Sequence, residues 1–132
     1  MKRIYETGTE AADIKLNVDI GTAGTAFTSA YLARSGGQSS LIAQSKTVSG
    51  DIGETSIGDA QGVKSSYLVI RTTIDFSNMD QTEWQKQADL IFARYQIEGG
   101  YSGKQLYNHD LDDLNVAYGG KIVTITKAIE MK

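Results

Sequence analysis

His109 is the single histidine of the chain, and cysteine is absent. Chemistry that needs paired histidines or a thiolate is therefore excluded, including histidine-rich zinc sites and cysteine zinc sites. A serine–histidine–aspartate triad would have to use His109. No Gly-x-Ser-x-Gly elbow accompanies it, so a solvent-facing loop histidine is the expectation. Asp110, Asp112 and Asp113 follow at once and form the densest acidic cluster. Alternating oxygen ligands on a loop suit calcium, which takes about six to eight oxygens. The cluster lacks the glycine and distal glutamate of an EF-hand loop. A second acidic segment, with Asp51, Glu54 and Asp59, could complete a site if the two segments met at one end of the fold. The simpler alternative is a solvated turn whose aspartates cap backbone donors.

Aromatic residues give a second constellation. Trp84, Tyr101 and Tyr107 fall in the last half of the chain. Exposed aromatics stack on sugar rings or anchor protein interfaces, whereas buried ones fill cores. Tyr101, between Gly100 and Ser102, is the one most expected at the surface. Paired carboxylates for glycoside hydrolysis can be drawn in many ways, and chain spacing singles out none. Gly21-Thr22-Ala23-Gly24-Thr25 follows a strand pattern but lacks the Gly-Lys-Ser/Thr of a phosphate loop and the spacing of a dinucleotide fingerprint. A tight turn accounts for it.

Composition narrows the partners. The 132 residues carry 13 basic and 16 acidic side chains, a net charge of −3. That balance, with no basic cluster, argues against nucleic acid as a partner. The longest apolar runs, Tyr67–Ile70 and Ala88–Ala93 (broken by Asp89), fall far short of the roughly 20 residues that span a bilayer. Met1-Lys2-Arg3 is basic, but Glu6 and Glu10 follow and no apolar segment appears. No secretory signal is read, and a chain native from Met1 is expected in the cytoplasm.

The elements that would position these residues are mostly strands. Proline is absent and glycine occurs 14 times, so glycine must make most turns. Ile14, Leu16, Val18 and Ile20 alternate with polar residues, as in a half-buried antiparallel strand. Thr25–Arg34 is apolar on both parities and is expected to be more central. Leu41–Val48 follows, then Gly50–Gly62 is expected to be a long loop pegged to the core by Ile52 and Ile57. Ser65–Phe76 is the strongest buried strand. Asp80–Glu83 has capping-box spacing, which predicts one or two helical turns over Asp80–Gln87 and then a strand to Glu98. A single helix over that whole span is the competing pattern. Gln105–Asn108 is a short strand. Asn115–Tyr118 and Lys121–Met131 flank a Gly119-Gly120 hairpin turn. The last strand is expected at a sheet edge, guarded by Lys121, Lys127 and Lys132.

The fold expected is therefore mainly β, one soluble domain over 1–132: an antiparallel β-sandwich, of Ig-like, C2-like or jelly-roll type, with at most one short helix near 80–88. The expected role is non-catalytic, a binding or assembly module that engages a protein partner or itself. The first alternative is a carbohydrate-binding module using Trp84, Tyr101 and Tyr107, with or without calcium at Asp110, Asp112 and Asp113. The second is a carboxylate-based hydrolase. No other cofactor is implied.

Overall fold

The structure is a computed structural model and describes residues 3–10, 12–34 and 36–132. Met1 and Lys2 of the basic start lie outside the described residues. In chain order the elements are β1 (Ile4–Tyr5), β2 (Asp13–Gly21), β3 (Thr25–Arg34), β4 (Ser39–Gln44), β5 (Ile52–Asp59), the one-turn α1 (Ala60–Val63) and β6 (Ser66–Asp75). Then come α2 (Trp84–Ala88), β7 (Phe92–Glu98), β8 (Gln105–Asn108), β9 (Leu114–Ala117) and β10 (Ile122–Met131).

Two sheets form. The larger runs β1-β10-β6-β3-β4, with β9 also beside β10; the smaller runs β5-β2-β7-β8. All pairs are antiparallel except β1 with β10. Period-two alternation decides what lies between the sheets. Ile14, Leu16 and Val18 of β2, Leu68, Ile70 and Ile74 of β6, and Ile125 and Ile129 of β10 are almost fully buried there. Burial of each such side chain contributes about 1.5–3 kcal/mol before entropy is charged against it. The Thr28 and Thr72 hydroxyls, also inside, pair with each other at 2.8 Å.

The split of Asp80–Glu98 into a short helix and a strand is as expected. Asp80 caps a 3-10 turn at Gln81–Glu83, α2 follows, and β7 begins at Phe92. The β-branched and aromatic residues of the second half pack as strand because Ala93, Tyr95 and Ile97 share one buried parity. At the end of β7 Gly99 takes a positive φ of 105°, and a Cβ there would lie 2.1 Å from the Asp13 carbonyl oxygen. Only glycine lets the chain turn so close to β2.

Two expectations are corrected. Gly50–Gly62 is not a loop: it holds β5 and α1. Ile52 and Ile57 are five apart and so of opposite parity, yet both point inward, because the shift between Val18–Ile52 and Leu16–Thr55 sets three residues of β5 against two of β2; a second shift lies at Ile57 itself. Those bulges hid the strand's period. The last strand is not at an edge. β10 pairs with β6 along its whole length, and its other side meets β9 over Ile122–Ile125 and β1 over Glu130–Met131. Lys127 accordingly does not guard an edge. It has the inward parity and is 1% exposed.

Candidate functional site

Lys127 centres a closed charge cluster. Its ammonium donates to the Asn108 carbonyl at 2.7 Å, to Asp110 Oδ2 at 3.0 Å and to Asp113 Oδ2 at 3.3 Å. A lysine has three N–H donors, so all are used. The Arg3 Nε–H donates to Asp110 Oδ2 at 2.8 Å. Within the turn, Asp113 Oδ2 accepts the Asp110 backbone N–H at 2.8 Å. Two cations thus face two carboxylates, and the acidic turn joins the smaller sheet's β8 to the stretch of β10 left free between β9 and β1. Lys127 first and Arg3 second hold the Asp110 carboxyl down at about 2. Across the interior, the Tyr95 hydroxyl is buried with no hydrogen-bond partner among the described residues. Burial, and then the Asp113 charge, push its pKa well above the ordinary tyrosine range.

Of the three aspartates singled out for calcium, Asp110 and Asp113 meet in this cluster, and Asp112 is exposed apart from it. A lysine ammonium sits between the two carboxylates. Among the described residues, no three or more histidine, cysteine, aspartate or glutamate side chains are grouped to hold a metal ion. The second acidic segment lies on and just before β5, at the opposite edge of the smaller sheet from β8. There Asp51 accepts the Ile20 N–H at 2.8 Å and Asp59 caps α1. His109 uses Nδ1 to accept the Ala93 N–H at 3.1 Å.

The aromatics are dispersed. Trp84 precedes β7 and Tyr101 follows it, so a strand of seven residues, about 20 Å long, separates them. Trp84 is half-buried and donates Nε1–H to the Met79 carbonyl at 3.1 Å, with Lys121 above its ring. Tyr107 donates its hydroxyl to the Ile4 carbonyl at 2.9 Å. Tyr101 alone stands out, at 79% exposure. An open cleft of about 750 Å³ between the edges of β4 and β5 has Lys46, Asp51 and Glu54 as its charged lining.

The surface differs more between the two outer faces. On the smaller sheet, Lys15 lies in register with Glu98 and Asp19 with Arg94, and Asp13 adds a further charge. On β3, β6 and β10 the outward positions are aromatic, aliphatic or hydroxyl-bearing, and only Arg71, Asp75 and Glu130 are charged. One row across that face reads Leu41, Tyr31, Val69, Ala128. Phe27 and Tyr67 flank it, each 51% exposed.

No sequence motif marks either feature. The strict run Val123, Ile125, Lys127, Ile129, Met131 could have exposed the inward lysine. The apolar second parity of β3 and β6 could have exposed the face. No family model, curated protein or solved structure matches the chain.

Proposed function

We propose that the protein is a non-catalytic binding or assembly module that presents the outer face of β3, β6 and β10 to a protein surface. The observation that carries this is the contrast between the two outer faces. The smaller sheet sets two oppositely charged register pairs, Lys15–Glu98 and Asp19–Arg94, across its outer face, with the exposed Phe92 and Leu106 standing beside them. The larger sheet offers Phe27, Tyr31, Leu41, Tyr67 and Val69 with few charges among them. Aromatic enrichment and charge depletion mark the cores of protein interfaces. The titratable cluster supports the same role, since its donors and carboxylates serve the fold.

A photo-crosslinking residue at Tyr67, with a control at Asn17 on the smaller sheet, tests this in cells that make the protein. Adducts, with another protein or with a second copy, are expected from position 67 and not from position 17. Equal labelling, or none at position 67, overturns the proposal.

A further inference from the structure

The occupant of this face follows from how its charges are placed. Val69 and Ala128 are register partners, the fourth of ten pairs counted from the Ser66–Met131 end of the β6–β10 ladder. Arg71 lies two residues from Val69 in one direction, and Glu130 lies two residues from Ala128 in the other, opposite Tyr67. The two charges are therefore symmetric about the midpoint of the Val69–Ala128 pair. Both are outward, and neither makes an ion pair among the described residues.

A two-fold axis that lies in the face, passes through that midpoint and runs perpendicular to the line joining the two charges exchanges the two positions. It sets Arg71 of each copy against Glu130 of the other, twice over. An isologous interface requires such self-complementarity, in which residue i meets residue j and j meets i. Glu130 is displaced from Arg71 by four residues along the strand and one strand across. From the standard strand rise and spacing, the axis then crosses the strands of the two copies at about 40°. That is close to the roughly 30° at which aligned sheets stack.

The area also suits a second copy. β3, β6 and β10 have ten residues each, about 33 Å, and together span about 14 Å, so the face offers at most roughly 475 Å² per copy. Two copies would bury at most about 950 Å², below the roughly 1,200 Å² of standard specific interfaces and in the range of weak, reversible ones. The edges do not compete for this role. β4 and β5 carry register shifts, and β8 and β9 are four residues each, devices that discourage edge pairing.

We infer that the outer face of β3, β6 and β10 pairs with the same face of a second copy, in a reversible two-fold dimer held by an apolar centre and two reciprocal Arg71–Glu130 pairs. This rests on the binding-module reading above and names its partner.

Sedimentation equilibrium of the full chain tests it. The wild type is expected to pass from monomer to dimer mass as concentration rises. Arg71→Glu and Glu130→Arg are each expected to weaken the dimer about tenfold or more, because like charges then meet. Mixed in equal amounts, the two variants are expected to regain dimer mass, since each swapped charge finds its opposite. Ala128→Arg, at an exposed position beside the axis, should abolish the dimer by bulk. A wild type that stays monomeric, swaps without effect, or a mixture no heavier than its components overturns the inference. A monomeric wild type that still crosslinks to other proteins from position 67 would overturn the second copy alone; absent crosslinks would overturn the face as well.

Discussion

Lys127 and Glu130 stand three residues apart on β10 and face opposite ways. Lys127 points between the sheets, uses its three donors and belongs to a cluster of balanced charge. Glu130 points outward and has no ion-pair partner among the described residues, as does Arg71 on the neighbouring strand. The same sheet thus spends one set of charges on its own closure and leaves another unspent. Charges of the first kind should control stability, and those of the second kind should control association.

The largest effect is expected from Lys127→Met. It leaves Asp113, which is 7% exposed, and Asp110 without their shared ammonium. Removing one member of a buried pair costs about 3–5 kcal/mol, and partial exposure of Asp110 places the loss near about 3 kcal/mol. Urea denaturation measures it, and the folded fraction should associate as the wild type does. A loss under about 1 kcal/mol would show that the cluster does not secure the fold. Val69→Lys should invert the pattern. Stability should change by less than about 1 kcal/mol, while association weakens about tenfold or more. Asn17→Lys on the other sheet should leave association unchanged.

Acid probes the inner cluster without a side-chain truncation. The Asp110 carboxyl sits at about 2 when folded, against 3.8 for an ordinary aspartate. A carboxyl depressed on folding adds stability that is complete above its unfolded pKa and is lost as pH falls through its folded one. The melting temperature should therefore fall from about pH 4 toward pH 2. Asp110→Asn should flatten that fall in part, since Asp75 and Asp80 are also lowered by local hydrogen bonds. An unchanged slope would mean that Asp110 contributes nothing. The smallest effect belongs to Tyr95→Phe. Its hydroxyl has no partner, so removal should be neutral or stabilising by up to about 1 kcal/mol. A larger loss of melting temperature would reveal a hydrogen bond through ordered water.

Much of the architecture was legible because period two survives wherever a strand is paired regularly on a buried face. β2 and β6 show this, and β8 was read with its observed bounds. The division of Asp80–Glu98 was legible from local preference, helix formers first and β-branched and aromatic residues after. β5 was not, because its bulges shift parity between Ile52 and Ile57. The central place of β10 was also hidden. Its lysines look like edge guards until the sheet order shows that one of them points inward. The acidic turn was correctly picked out as a concentration of charge. Its partners Arg3 and Lys127 lie 107 and 17 residues from Asp110, a proximity that only the sheet order creates. The outer face was invisible to a motif search because no motif defines it. It is a property of register across three strands.

The central claim is that the outward side of β3, β6 and β10 is the surface by which this protein meets a protein partner, a second copy of itself. Amide chemical shifts followed while the protein is diluted from millimolar to micromolar test it most directly. The predicted result is a concentration-dependent set confined to that face, centred on Tyr31, Val69, Arg71, Ala128 and Glu130, with Asn17, Gln96 and Leu106 of the other sheet unmoved. Shifts centred on β2, β7 and β8, or none across the range, would contradict it.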